Sequence, residues 1–317
     1  MKSLERQCKN ISTGDMITIN EYLLSRNKNR GPMTKANDKN IKQIVRHELE
    51  EHGMYADLNH IDTSEVTNMN YLFRDMHEFN GNITEWDVSN VKTMTGMFIG
   101  CAEFNQDISE WDVSNLKDAS NMFIECYSFD QPIGKWDTRS LFNTESMFAG
   151  CKSFNQDLSH WDMTKVQYLK YMFSMCVKFD NNVGNFNFYN ADDLSCMFKY
   201  CSAFDQDVSN MLHGNLKRKI SSLFYGCINF SGKGLDKWNT KSITHASYAF
   251  WSCDSLDADL SNWKLPALIN GESMFEGCRS LTCDCSDWEL NPIFKDIKAG
   301  IKKMFYNSGV KKDKRPI

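Results

Sequence analysis

Three kinds of residue in this sequence have chemistry beyond packing: carboxylates, thiols and imidazoles. The carboxylates show the clearest order. Asp87, Asp112, Asp137 and Asp162 each follow a tryptophan at intervals of 25 residues, with Asn187 and Asn239 later, and Glu85, Glu110, Lys135, His160 and Asn185 stand just before that column. Aligned side by side, they form an acidic stripe. Like charges across neighbouring chain segments repel, so each carboxylate needs donors, a counter-ion or a partner. Two readings follow. Each aspartate bonds backbone N–H groups of its own turn, or Glu85, Asp87, Glu110, Asp112, Asp137 and Asp162 receive a basic protein partner. Calcium is a weaker reading: it takes about six to eight oxygens, and one carboxylate per repeat is too few unless two repeats and their carbonyls cooperate.

The twelve cysteines would suggest disulfides if counted without their positions. Eight occupy one column, Cys101, Cys126, Cys151, Cys176, Cys201, Cys227, Cys253 and Cys278, each with a phenylalanine three residues before it. That is the place of a small buried hydrophobe with a weak donor, so reduced, buried thiols are expected. Cys278, Cys283 and Cys285 loosely resemble a metal knuckle. A structural zinc site wants four ligands, and Cys285 shares a column with Ile108 and Leu158, which favours core packing. The seven histidines (His47, His52, His60, His77, His160, His213 and His245) share no triad or metal-binding spacing, and the glycines form no phosphate loop. No enzyme and no cofactor is expected.

The elements that would position these residues are repeats. Phe73, Phe98, Phe123, Phe148, Phe173 and Phe198 recur every 25 residues, followed by Phe224, Phe250, Phe275 and Phe305 with small insertions. Trp86, Trp111, Trp136, Trp161, Trp238, Trp263 and Trp288 keep the same phase, and Phe186 and Met211 replace tryptophan mid-array. Such self-similarity means units that cannot bury their apolar sides alone. The expected fold is a repeat solenoid of about ten coils. In each coil Trp111-Asp112-Val113 and its equivalents read as a short parallel strand on a concave face. The spacing of Val91, Met94, Met97, Cys101 and Phe104 reads as a helical or 3₁₀ turn. A second polar ladder, Asn80, Asn105, Asp130, Asn155, Asp180 and Asp205, should satisfy backbone groups.

At 317 residues and a net charge of −5, the chain suits one extended stack, and no stretch approaches the roughly 18 apolar residues of a membrane span. Residues 1–36 read as an arm and linker, and 37–53 as an amphipathic capping helix with Ile41, Ile44, Val45 and Leu49 on one face, Asn37 or Asp38 as cap and Gly53 as stop. Residues 54–310 are the repeats, and 311–317 a basic, frayed tail. An insertion between Met211 and Leu223 makes a less regular joint, with HGNLKRK (213–219) polar and protruding. The opening MKSLERQCKNISTGDM has no apolar h-region, which favours an intracellular or virion setting over the cell surface. Nucleic acid is not favoured, because the aromatics belong to core columns rather than to a basic stripe.

FNQDISEWDVSN followed by a MFxxC turn, with VRHELEEHGMYADLNHIDTSEVTNMNYLF before the array, resembles the BspA-like leucine-rich-repeat proteins, the type also found in mycoplasma lipoproteins. The resemblance spans residues from about 38 to 290. It implies a leucine-rich-repeat-like fold with an N-terminal cap, and surface proteins credited with adhesion or protein binding. The chain departs from that pattern in lacking a signal or lipoprotein segment, since Cys8 lies among charged residues. The expected function is a non-catalytic protein-binding or scaffold protein that meets a basic partner through the acidic face. Alternatives are a structural component of a larger assembly such as a virion, contacting neighbours through the N-terminal arm or coil ends, and a surface adhesin.

Overall fold

A short strand, a helix and a second strand begin the part of the chain that the computed structural model describes, which comprises residues 33–183, 186, 188–212, 218–294 and 303–316. Strand β1 (Thr34–Asn37) pairs in parallel with β2 (Ile61–Glu65), and α1 (Ile41–His52) lies between them in sequence. Ile41, Val45 and Leu49 form the buried face of α1, and Gly53 ends the helix in a left-handed conformation, its N–H donating to the Leu49 carbonyl. The cap differs from expectation at two points. Thr34–Asn37 is strand rather than linker, because Thr34 N–H donates to the His60 carbonyl at 3.0 Å and Ala36 is buried. Asp38 does not cap the helix. Its carboxylate accepts from Thr67 N–H and Asn68 N–H, at 2.7 and 3.0 Å, and so ties the cap to the first repeat. The arm before residue 33 lies outside the described residues.

The repeats are joined through the stretch around each core phenylalanine. Met94, Gly96, Phe98 and Gly100 donate their N–H groups to Asp118, Ser120, Met122 and Ile124 of the following unit, at 2.8–2.9 Å, while Met97 and Cys101 donate back to Met94 and Phe98 of their own unit. Alternate residues therefore bond between units and within them. The spacing in threes read as helical comes from these i→i+3 turns, but a helix cannot continue through them. Two left-handed residues, four apart, interrupt each unit: Tyr71 and Asp75, Gly96 and Gly100, Asn121 and Glu125, Ser146 and Gly150, Tyr171 and Met175. A non-glycine residue there costs roughly 1–2 kcal/mol, which the bonded neighbours on both sides must offset. At Gly96 glycine is needed twice over, since an added Cβ would also strike the Tyr71 ring at 2.6 Å.

Parallel bridging runs through Asn68, Thr93, Asp118, Asn143 and Tyr168, and again through Asp193, Lys219, His245 and Asn270. The expected strand at Trp111–Val113 is absent. Trp111 N–H closes a turn on Ile108 and Leu116 N–H closes another on Val113, so only a few residues run between two turns and no ladder forms. Among the described residues, strands occupy that column only near the ends: β2 at the start, and β5 (Lys264–Leu265) paired in parallel with β6 (Glu289–Leu290). Between these pairs, β3 (Arg218–Lys219) and β4 (Ile243–His245) pair with an irregular register.

The core is a set of columns. Ring centroids of Phe73, Phe98, Phe123, Phe148 and Phe173 follow one another at 5.4–5.6 Å with planes within 8° of parallel. A second stack, Phe79, Phe104, Phe129 and Phe154, follows at 5.8–6.0 Å. Buried indoles need a partner. Trp86, Trp111, Trp136 and Trp161 each donate Nε1–H to a carbonyl of the preceding unit, those of Leu58, Ile83, Ile108 and Ile133, at 3.0–3.3 Å.

Two further expectations change. Within HGNLKRK, residues 213–217 lie outside the described residues, but Arg218 is buried rather than protruding. Its Nη1 donates to the Phe188 carbonyl at 2.8 Å and its Nε has no acceptor among the described residues. Burial pushes its guanidinium pKa down. The tail is held against the last unit at residues 314–316, while Lys311, Lys312 and Asp313 are exposed. Cys285 N–H donates to the Lys314 carbonyl, Arg315 donates to the Val310 carbonyl, and Lys314 pairs with Asp284, because the last unit otherwise leaves its donors and acceptors uncovered. Among the described residues, no helix is long and apolar enough to cross a membrane.

Phe148 tests the column most directly, because its ring meets Phe123, Phe154, Phe173 and Trp161. Phe148→Ala is expected to cost about 3–5 kcal/mol, read from urea midpoints at constant m-value. A loss below about 1 kcal/mol would contradict a close-packed column.

Candidate functional site

The acidic column is built by turns. Asp87 accepts from Ser89 N–H at 3.0 Å and its hydroxyl at 2.6 Å, and Asp112 from Ser114 N–H at 3.0 Å. Asp162 accepts from Thr164 N–H at 2.9 Å and its hydroxyl at 2.6 Å. Asp137 accepts from Arg139 N–H at 3.2 Å and from its Nε at 2.8 Å. All four aspartates thus close their own turns, which accounts for a column of like charges without any partner. One oxygen is used inward in each case. The second oxygen of Asp87, Asp112 and Asp162 accepts no hydrogen bond among the described residues, and Glu85, Glu110, Asp87 and Asp112 are exposed. Asp62, which accepts from Ser64 N–H and hydroxyl, extends the column at its start. Sequence reasoning missed it because isoleucine, not tryptophan, precedes it. Asn185 and Asn187, read as later members, lie outside the described residues.

The charges are not equal. Hydrogen bonds from Arg139 hold the Asp137 carboxyl at about 2, and those from Thr164 hold Asp162 below the ordinary carboxylate range. Arg139 therefore breaks the stripe between its exposed half, Asp87 and Asp112, and its half-buried half.

The neighbouring ladder of Asn and Asp side chains serves the backbone of the following unit. Asn80 Oδ1 accepts from Asn105 N–H, Asn105 from Asp130, Asp130 from Asn155, Asn155 from Asp180 and Asp180 from Asp205, all at 2.8–3.0 Å. Gln106 Nε2 adds a bond to the Asn80 carbonyl at 2.8 Å, and Gln131, Gln156 and Gln206 repeat it. Each Oδ1 from Asn80 to Asp180 is thereby engaged by the following unit.

The cysteine column is equally committed. Cys101, Cys126, Cys151, Cys176 and Cys201 each donate S–H to the carbonyl of a core phenylalanine one unit back, at 2.9–3.1 Å. Burial pushes the Cys101 thiol up to about 12 and the following four well above their ordinary value. Cys283 is different: half-buried, with its sulfur 3.2 Å from that of Cys285, whose hydrogen bond pulls the Cys283 thiol down. Among the described residues, no group of three or more His, Cys, Asp and Glu side chains is placed to hold a metal ion.

One cluster was not legible as a column. Tyr225, Tyr248, Trp251 and Tyr306, with Glu272, Glu276 and Lys303, line an open groove of about 560 Å³. These aromatics are not core, contrary to the reading that assigned the aromatics to core columns. Trp251 is the tryptophan that falls outside the repeating phase, which is the signal that could have found it.

A family model described as "Mycoplasma protein of unknown function, DUF285" matches residues 39–152, 132–218 and 215–314. Repeated matches along one chain define a repeat protein. The chain belongs to that mycoplasma repeat family. No curated protein matches it.

Two outcomes follow from the site. Asp137 has a folded-state pKa below its unfolded one, so its contribution to stability is present above the unfolded value and is lost as pH falls toward about 2. In Arg139→Ala, carboxyl-carbon NMR should find Asp137 back in the ordinary carboxylate range; an unmoved titration would remove Arg139 as the cause. Iodoacetamide at pH 8, followed by mass mapping of the folded chain, should alkylate Cys283 well before any cysteine from Cys101 to Cys201. Equal labelling would contradict the buried column.

Proposed function

We propose that the protein is a non-catalytic protein-binding or scaffold protein, a leucine-rich-repeat-like solenoid of the BspA-like type whose acidic column meets a basic partner. The observation that carries this reading is orientation. The aspartates of the column use one oxygen to close their turns, and Asp87, Asp112 and Asp162 keep the other without a hydrogen bond among the described residues. Such a row is preorganised, so a cationic partner meets fixed acceptors and loses little on ordering them. The exposed half, Glu85, Asp87, Glu110 and Asp112, is the stronger part, because Arg139 competes with the partner at Asp137.

Changing Asp87, Asp112, Asp137 and Asp162 together to asparagine is a clean test, since an asparagine Oδ1 still accepts the turn hydrogen bond. A partner captured by the whole chain, identified and then purified, is expected to bind the quadruple variant at least about tenfold more weakly and with a shallower salt dependence. Undiminished binding to a folded variant would overturn the acidic-column reading. Binding that survives the four substitutions but is lost when residues 1–32 are removed, a deletion that spares β1, would place the contact in the N-terminal arm, as in a larger assembly.

A further inference from the structure

The groove near the C-terminal end carries chemistry that the acidic column does not use. Tyr225, Trp251, Glu276 and Tyr306 occupy one repeat position in four successive units. Their register is fixed by the backbone: Gly226 N–H donates to the Trp251 carbonyl and Ser252 N–H to that of Glu276, both at 2.8 Å, and Gly277 N–H to that of Tyr306 at 3.0 Å. Tyr225 and Trp251 stack with centroids 4.4 Å apart. Glu276 then stands as a carboxylate rung between two aromatic ones. It is half-buried, and among the described residues its side chain accepts no hydrogen bond and forms no ion pair. Glu272 beside it is already answered by Lys303 at 2.9 Å. One end of the ladder shows what this surface attracts: the Lys199 ammonium lies 5.0 Å from the Tyr225 ring centre.

We propose that this groove binds the guanidinium of an arginine side chain on a protein partner, stacked on Trp251 and Tyr306 and paired with Glu276. The chemistry selects that group. A guanidinium is planar, so it can lie on an aromatic face and still present two parallel N–H donors to a carboxylate, whereas an ammonium is a point charge with a tightly held water shell. Aromatic faces attract a cation most strongly when it is partly out of water, as it would be in a groove already lined by rings. Lys303 does not fill the role, because its ammonium bonds Glu272 at 2.9 Å and acts on Glu276 only as a more distant charge, without a hydrogen bond to it. This site goes beyond the acidic column: Asp87 to Asp162 belong to earlier units, and either site can hold a partner without the other.

The test uses the full chain labelled with ¹⁵N, its Trp251 indole signal assigned through Trp251→Phe, and three probes: acetyl-arginine methylamide, acetyl-lysine methylamide and choline. The arginine probe is expected to shift the Trp251 indole saturably, with affinity lower by at least about tenfold in Glu276→Gln, and the other two probes to bind more weakly than the arginine probe. Tyr306→Ala supplies a second variant whose loss of binding does not depend on charge. The four Asp→Asn changes of the acidic column should leave the titration unaltered. No saturable shift at Trp251, equal affinity in folded Glu276→Gln, or choline or the lysine probe binding as well as arginine would each overturn the proposal.

Discussion

Everything in this structure depends on the alternation of backbone hydrogen bonds around the core phenylalanine. Every second N–H in that stretch reaches the next unit, and the residues between close turns on their own unit. Neither set alone would suffice. The turns alone would give an isolated knot with its apolar side bare, and the ladder alone would need an extended strand, which could not bring Phe98 and Phe104 to 4.1 Å within one unit. The left-handed pairs are the geometric condition for having both, since they return the chain to the direction from which the next interunit bond can be made. Their cost is met because both flanking units hold the backbone in place.

Once that register exists, each side chain meets its own kind in the next unit, and this rule sorts what each position can hold. Rings stack on rings. Thiols and indoles satisfy their donors on carbonyls of the preceding unit. Charges are harder to stack, since like meets like. The structure handles the aspartates of its turns by giving them local donors: Asp112 takes Ser114, Asp107 takes Ser109 and Asp118 takes Ser120, each two residues on. The acidic column is therefore first a consequence of turn chemistry. The oxygens that the turns leave over are what the proposed basic partner would meet.

The same rule explains what the sequence disclosed. The Phe, Cys and Trp columns were legible because a buried position repeated in every unit tolerates few residue types, and the Asn80 ladder because only Asn and Asp offer an Oδ1 there for the next unit's N–H. The left-handed pairs were not, because Tyr, Asp, Asn, Glu, Ser, Gly and Met all occupy them and no residue type marks the conformation. The strand expected at Trp111–Val113 failed for a related reason: in-out-in alternation over three residues is also what a link between two tight turns produces. Arg218 and residues 314–316 misled because charge was taken for exposure. In both places a disrupted or terminal unit had backbone groups to satisfy: the Arg218 and Arg315 guanidinium groups donate to the Phe188 and Val310 carbonyls, and the Lys314 carbonyl accepts from Cys285 N–H.

The position that follows each core phenylalanine shows where such a protein acquires individuality. It reads Arg74, Ile99, Ile124, Ala149, Ser174, Lys199, Tyr225, Trp251, Glu276 and Tyr306. It is held in the same register as its neighbours, with the Met122-to-Phe98 type of bond on one side and the Ile124-to-Gly100 type on the other, yet it is free of the core's demand for one residue type. Rigid backbone with unconstrained side chains is what a recognition surface requires, because the ordering cost falls on the fold rather than on the encounter. A repeat that specified every position equally would present the same surface from end to end. Here the units from Ile99 to Ser174 present aliphatic or small groups, and the last present rings around a carboxylate. In the proposed binding role, selectivity along the array would rest on this column, which the hydrogen-bond ladder fixes in space but leaves open in chemistry.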